Sequence, residues 1–387
     1  MTPRRPIEIV GGGLAGLSLG LALRRAAVPV TIFEAGDYPR HRVCGEFITG
    51  LAPATIARLG LAPFLADALH HREVAWFIGS GADDQPARLQ KLPSPALGLS
   101  RHTLDHRLAE AFIAAGGDLH IRTRVVDTAS DPGRVWATGR RRGQSPWLGL
   151  KIHARGLALS RDLELHLGDF AYVGLARVED GSVNVCGLFR RRELCAKGAH
   201  LLLGYLQAAG LTVLAARLAA SALEAASFCA VAAVGFDRHV AAPADNRVCL
   251  GDTCSRIPPF TGNGMAMAFQ SAETALAPLL AYSSGATDWS ATCQAIHHAL
   301  RRRFRLRLAT AAAVHPFLFH PPRQRLLAAL NCAHLLPLRP LLWERLLWLW
   351  LRPLRVPPRE LERYRCREGL SFSDCFLLFF LLGRRRL

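Results

Sequence analysis

The sequence predicts an α/β fold in three parts: a Rossmann-like nucleotide-binding unit, a sheet-based unit interleaved with it, and a helical C-terminal region. Three observations predict it. A strand pattern, Ile7-Glu8-Ile9-Val10, runs straight into a glycine fingerprint and a helical run. The block from Trp147 to Phe189 alternates with the period of sheet, Leu163, Leu165 and Leu167 interleaving with Glu164 and His166. From about Ile296 the pattern is helical and interrupted by prolines, among them Pro316, Pro321, Pro322, Pro337 and Pro340.

The first element is the most specific. The fingerprint is Gly11-x-Gly13-x-x-Gly16, with Leu14 and Ala15 between the last two glycines, and a helical run follows from Leu17 to Arg25. A second strand, Val30-Thr31-Ile32-Phe33, ends at Glu34. Gly11 allows the turn out of the strand, Gly13 lets the backbone approach a pyrophosphate, and Gly16 lets helix pack on strand. The helix N-terminus offers free N–H groups and partial positive charge to phosphates. Glu34 stands where a carboxylate accepts hydrogen bonds from a ribose.

A loop follows, with Arg42, Cys44, Gly45 and Glu46, then a short helix over Ala52–Leu59 and a strand over Val74–Ile78. His102–Ala115 is amphipathic, and Gly116-Gly117 stops it. Leu119–Val126 reads as strand. Glu179-Asp180-Gly181 is a hairpin signal between Phe170–Val178 and Ser182–Phe189. Leu201–Ala209 and Val213–Ala226 read as helices. The strand Arg247–Leu250 runs into Gly251-Asp252, and the glycine-punctuated loop Pro258–Gly264 opens a helix over Met265–Leu280.

Composition bounds the function. The chain has 387 residues, half of them hydrophobic and a fifth charged, which is globular and long enough for two or three structural units. The net charge is +18, of which residues 301–387 carry +13, with 18 arginines against 5 acids. That end either meets an anionic lipid surface or is a solvated, arginine-rich face. The same two readings apply to Arg301-Arg302-Arg303 with Arg305 and Arg307. Trp343, Trp348 and Trp350 either seat a membrane surface or pack a core. No basic patch carries interleaved aromatics, so nucleic acid is not expected as a partner. Ten cysteines show no CxxC pair and no zinc spacing, so the expectation is free thiols in a reducing compartment and no metal. No stretch of 18 apolar residues occurs, so the expectation is a cytoplasmic protein, peripheral at most on the inner face of the membrane.

Two stretches point to FAD as the dinucleotide. Asp252 ends a strand, where it can bond a polyol chain such as ribityl. The helix beginning after Pro259, Gly262, Asn263 and Gly264 can stabilise negative charge on a reduced flavin. Leu99-Ser100-Arg101 leads into a second helix, and Arg101 is placed to reach a phosphate or ring oxygen.

Over most of residues 7–280 these motifs resemble the FAD-dependent oxidoreductases that include aromatic-ring hydroxylases and geranylgeranyl reductases. The resemblance rests on the fingerprint with Glu34, on Arg42-Val43-Cys44-Gly45-Glu46, on Ser100-Arg101, on Gly149-Leu150-Lys151 and on Gly251-Asp252 with Pro259 and Gly262-Asn263-Gly264. The Val-Cys-Gly-Glu block looks more like the reductase branch. The resemblance implies a glutathione-reductase-type FAD-binding domain over 1–50, 95–140 and 240–295. It implies a substrate domain over 51–95 and 147–235 and a basic helical region over 296–387. It also implies that Gly11, Gly13, Gly16 and Glu34 hold the ADP half, that Arg42 and Arg101 touch FAD, and that Asp252 binds the ribityl chain. Gly262, Gly264 and Cys44-Gly45 would lie beside the isoalloxazine. The chain departs from the family where an Asp-Gly strand motif is replaced by Ala137-Thr138-Gly139-Arg140, after a short connection from Arg124. No Trp-x-Trp-x-Ile-Pro segment occurs, which argues against a flavin halogenase.

No catalytic residue stands out. Cys44 either is redox-active or contacts flavin, or it is a small packing residue. Lys151 and His153 share one strand face, either as acid–base groups or as exposed cations. The leading expectation is an NAD(P)H- and oxygen-using monooxygenase of an apolar or aromatic small molecule, NAD(P)H docking transiently as electron donor. The alternatives are a reductase of isoprenoid or polyketide double bonds and a membrane-associated flavin-binding protein without turnover.

Overall fold

A computed structural model describes residues 4–78, 85–126, 131–140, 143–241 and 246–332. The chain opens with β1 (Ile7–Val10), α1 (Leu14–Arg25) and β2 (Val30–Phe33), followed by β3 (Phe47–Ile48), α2 (Pro53–Leu59), β4 (Leu69–Ile78) and β5 (Arg88–Gly98). Next come α3 (Arg101–Ala114), β6 (Asp118–His120), β7 (Arg134–Trp136) and the strands β8 (Trp147–Arg155), β9 (Leu163–Gly168), β10 (Ala171–Arg177) and β11 (Val183–Arg190). Helices α4 (Gly198–Ala208) and α5 (Thr212–Ala219) precede β12 (Ala222–Val231) and β13 (Val248–Cys249), and α6 (Gly264–Ser283), α7 (Trp289–Val314) and α8 (Pro321–Cys332) follow.

The smaller sheet has the order β13-β7-β1-β2-β6, and all its pairings are parallel. The chain adds β2 and β6 on one side of β1 and β7 and β13 on the other. The order therefore reverses at β1, where open α/β sheets bind ligands beyond their strand ends. Parallel strands need cover on both faces, and the sequence supplies it. Ile7, Ile9 and Ile32 are buried between Leu17 and Leu21 of α1, Phe112 of α3 and Phe269 of α6. Each such side chain contributes about 1.5–3 kcal/mol by leaving water. Gly11 needs its φ of +111°, and a Cβ on Gly16 would run into the Gly11 carbonyl, so helix and strand touch only because both are glycine.

The larger sheet has the order β12-β8-β11-β10-β9-β4-β5-β3, and its β4–β9 pair is parallel. Its outer face, with Leu150, Ile152, Val173 and Val185, packs under Leu202, Leu206, Leu214 and Leu218 of α4 and α5. Register fixes what the inner face presents. One row across it reads Cys229, Lys151, Cys186, Gly174, Leu165, Trp76. The next reads Glu224, His153, Asn184, Ala176, Leu163, Val74. This face is polar near β8 and apolar near β4.

Two sequence expectations are corrected. Val213–Ala226 is not one helix: α5 stops at Ala219, and Ala222 begins β12, which pairs with β8. The alanines favour helix, and the pairing partner overrides them. The strand expected over Leu119–Val126 is only Asp118–His120, because β2 offers pairing no farther than Phe33. The tryptophans at 343, 348 and 350 lie outside the described residues.

Candidate cofactor and substrate site

The two sheets enclose a cavity of about 920 Å³. Gly11, Gly13, Leu14, Ala15 and Glu34 line one end, and Arg42, Cys44, Gly45 and Arg101 line its flank. Gly251, Asp252, Pro259, Gly262 and Gly264 line the far wall, so residues more than two hundred positions apart meet there. Two expected site residues stand behind the wall. Gly16 serves helix packing. Asn263 is fully buried and donates to Thr49 Oγ1 (3.2 Å) and to the Thr261 carbonyl (2.9 Å), which fixes the turn before α6.

The nucleotide end suits FAD. Helix α1 begins at Gly13 with no side-chain cap and no acid in its first turn, so its leading N–H groups remain for an anion. A Cβ at Gly13 would meet nothing within 4 Å: the space in front of it is open cavity. Glu34 lines the cavity and is held by the loop it serves. Its Oε2 accepts from Gly12 N–H at 2.8 Å, and its Oε1 accepts from Gly36 N–H at 2.9 Å and from Arg40 at 2.7 Å. Tyr38 closes the same loop by donating to the Gly12 carbonyl.

Asp252 faces the cavity and is exposed to it, while protein crowds it from every other side; this enclosure raises its pKa above the usual aspartate range. Among the described residues it accepts no hydrogen bond. A carboxylate left in that state wants hydroxyl donors, which a ribityl chain carries. Arg140, in the stretch that replaces the family's Asp-Gly, lines the cavity and lowers the cost of charge on Asp252. Thr253 holds the Gly139 backbone, accepting from its N–H at 2.9 Å.

Arg42 and Arg101 share one buried carboxylate. Arg42 Nε is 3.0 Å from Asp105 Oδ2, and Arg101 Nε is 2.7 Å from Oδ1. Burial works against charge on Arg101, but Asp105 outweighs it, and the pKa rises. Burial pushes the Cys44 thiol up, and its Sγ accepts from Glu46 N–H at 3.5 Å. Cys44 is therefore a protonated wall residue that also lines the cavity.

Beyond the flavin-facing loop the cavity becomes an apolar chamber walled by Trp76, Leu92, Leu165, Leu188, Phe236 and Phe260. Tyr172 is its phenol. Burial raises its pKa well above 10, and its hydroxyl lies 3.3 Å from Nε2 of His315. His315 sits among Trp147, Phe236, Phe260 and Phe319, and burial lowers its pKa to about 3. The sequence held no signal for this pair, which joins residues 143 positions apart.

Lys151 and His153 are not exposed cations, as one sequence reading had them. Both are buried behind the cavity wall, drawn in by Glu46. His153 Nε2 lies 2.6 Å from Glu46 Oε2, and Lys151 Nζ lies 3.4 Å from Glu46 Oε1 and 3.0 Å from His41 Nδ1. The donor atoms of His41, Glu46 and His153 fall within 4.8 Å of one another, the spacing of a metal site. The Lys151 ammonium already lies between His41 and Glu46, where a metal ion would compete with it.

The NAD(P)-binding Rossmann-like domain family matches residues 9–46. A menaquinone reductase of Mycolicibacterium smegmatis is 31% identical over 137 residues, 35% of this chain and 33% of the relative. A menaquinone reductase of Mycobacterium tuberculosis is 28% identical over 130 residues, 33% of this chain and 31% of the relative. The chain thus matches about a third of the length of these curated relatives. Among solved structures, Pseudomonas aeruginosa PqsL with 2-aminobenzoylacetate superposes with a TM-score of 0.66 at 16% identity, over 84% of this chain and 99% of that one. The flavin-dependent brominase Bmp2 gives 0.65 at 16% identity, over 87% and 92%. The fingerprint in its βαβ unit and the family match identify a Rossmann-like dinucleotide-binding unit, the local sequence match is to menaquinone reductases, and the fold is the one shared by PqsL and Bmp2.

Proposed function

We propose that this enzyme is an FAD-dependent reductase that takes hydride from NAD(P)H and delivers it to a conjugated double bond or quinone ring of an apolar small molecule. The observation that carries the reading is the cavity itself. One end has the open helix N-terminus and glycine turn that suit a dinucleotide, and the other is a chamber walled by Trp76, Leu165, Leu188 and Phe260. The locally related menaquinone reductases, and the Val-Cys-Gly-Glu block, favour reduction over oxygenation.

When bound, FAD supplies the hydride chemistry. The N-terminus of α1 would hold the pyrophosphate, Asp252 would accept from the ribityl hydroxyls, and Arg101 and Arg42, held by Asp105, would flank the cofactor. The first turn of α6 contains no acid, so its dipole favours electron density placed before Gly264. The apolar walls orient the substrate and exclude water.

The test is anaerobic. Flavin-loaded protein reduced by NADH or NADPH is mixed with 2-methyl-1,4-naphthoquinone or a geranylgeranyl substrate. Reoxidation without oxygen supports reduction. Reoxidation that needs oxygen and hydroxylates the substrate selects the monooxygenase reading, in line with the fold shared with PqsL, described as a probable FAD-dependent monooxygenase. Protein that neither carries nor takes up FAD overturns both.

We further propose peripheral membrane contact through the basic C-terminal end. No helix among the described residues is long and apolar enough to cross a membrane. Pelleting with anionic liposomes that weakens with salt and on deletion of 341–387 supports the contact, and unchanged pelleting in the deletion removes it.

A further inference from the structure

The cluster behind the cavity wall has a feature that binding FAD does not require: it runs from solvent to the cavity. We propose that Glu224, His153, Glu46, Lys151 and His41 form a path that carries solvent protons into the active cavity.

The side chains are contiguous. Glu224 Oε2 lies 3.9 Å from His153 Nδ1, and Glu46 joins His153 at 2.6 Å and Lys151 at 3.4 Å. Lys151 reaches His41 Nδ1 at 3.0 Å. The two ends face different media. Glu224 keeps 28% of its side chain exposed beside Arg155, and His41 lines the cavity, stacked on His102. The middle is dry: Lys151 and Glu46 are wholly buried and His153 nearly so. Burying such charges costs several kcal/mol each, and an apolar strand would be the cheaper wall. Glu46 also takes a left-handed backbone, φ +54°, which a non-glycine residue adopts only under constraint.

The chemistry of each atom sets the direction. Glu46 is held ionised, burial being outweighed by its bonds to His153 and Lys151, so His153 carries its hydrogen on Nε2 and leaves Nδ1 toward Glu224. Lys151 can only donate, so His41 accepts at Nδ1 and carries its hydrogen on Nε2. Glu224 takes a proton from solvent, its carboxyl swings off Arg155 to close the 3.9 Å step, and it protonates His153 Nδ1. The Nε2 proton passes to Glu46, Lys151 gives a proton to His41 and is refilled from Glu46, and His41 releases its Nε2 proton to the cavity. One proton enters and one leaves, no electrons move along the path, and both imidazoles end with their hydrogen on Nδ1, so each ring turns over before the next proton passes.

The demand for that proton rests on the proposed function. Reduction runs as substrate + NAD(P)H + H⁺ → reduced substrate + NAD(P)⁺. The hydride comes from the nicotinamide, and the proton comes from solvent, which the path delivers at His41 on the cavity wall. Flavin-dependent oxygenation with NAD(P)H consumes one as well.

The experiment has two arms. The first needs no turnover: protein labelled with ¹⁵N-histidine is followed by NMR for exchange of the His153 Nε2–H with water. Fast exchange from this buried site, slowed about tenfold or more by Glu224→Gln, is the expected result. Exchange already slow in the wild type, or unchanged in Glu224→Gln, overturns the path. This arm stands even if the substrate reading fails. The second arm uses flavin-loaded His153→Gln and Glu224→Gln with NAD(P)H and 2-methyl-1,4-naphthoquinone. The expected variants keep their FAD dissociation constant, turn over about tenfold or more slowly with a larger solvent deuterium isotope effect, and regain rate with added imidazole. Folded variants with unchanged rate and isotope effect, or with a loss that imidazole does not relieve, reduce the cluster to a structural ion group.

Discussion

Asp105 grips Arg101 with both oxygens, Nε to Oδ1 and Nη2 to Oδ2 each at 2.7 Å, and spends its remaining reach on Arg42 at 3.0 Å. One carboxylate with no solvent exposure thus holds two cations on the cavity flank. Asp105→Asn removes the carboxylate that pairs Arg101 and, among the described residues, leaves Arg42 only Glu34, 3.9 Å away. The expected cost is about 3–5 kcal/mol in urea unfolding, with FAD retention falling alongside. A change under about 0.5 kcal/mol, the range of ordinary surface substitutions, would show that the pair is dispensable.

Gly13 and Gly16 separate binding from folding. Gly13→Val places its side chain in open cavity, so the expected protein melts as the wild type does and holds no FAD. Gly16→Val drives Cβ into the Gly11 carbonyl, so the expected protein is destabilised or insoluble. Wild-type FAD affinity in Gly13→Val would remove the phosphate assignment.

Asp252→Ala removes the enclosed acceptor without touching a packed core. The expected loss is about tenfold to a hundredfold in FAD affinity by fluorescence titration, the value of a hydrogen bond to a charged group. Equal affinity would mean that the ribityl chain lies elsewhere.

His315 sets part of the acid limit of stability. Burial lowers its folded pKa to about 3 from 6.5, so between those values the unfolded chain holds a proton that the folded chain lacks. Stability is therefore complete above pH 6.5 and declines as pH falls toward 3, by up to about 1.4 kcal/mol per pH unit for one proton. His41, lowered by burial and by Lys151 to about 4, works in the same sense. His315→Phe is expected to flatten the fall in Tm between pH 6.5 and 4.5 without abolishing it. An unchanged slope would show that His315 is not held neutral.

What could be read from sequence follows from the range of the forces involved. The fingerprint was legible because Gly11, Gly13 and Gly16 answer to backbone sterics within six residues, and Glu34 to the end of the next strand. The Gly251–Gly264 block was legible because a strand end and an uncapped helix start are local too. Glu46, Lys151 and His153 were not, since the pairing that buries them spans more than a hundred positions. Tyr172 and His315 failed for the same reason. The start of β12 was missed because Ala222–Ala226 has helical composition and acquires strand geometry only from β8.

The glycine turn at the start of the chain faces Gly251, Asp252 and Gly264, and Thr49 donates its N–H to the Gly262 carbonyl at 3.1 Å. During synthesis the first wall of this cleft therefore leaves the ribosome more than two hundred residues before the second. Until α6 has emerged and docked, the N-terminal βαβ unit presents its phosphate loop with no opposing wall. Cofactor loading then follows the docking of α6, and FAD in the folding mixture would accelerate that docking step while leaving the first collapse unchanged.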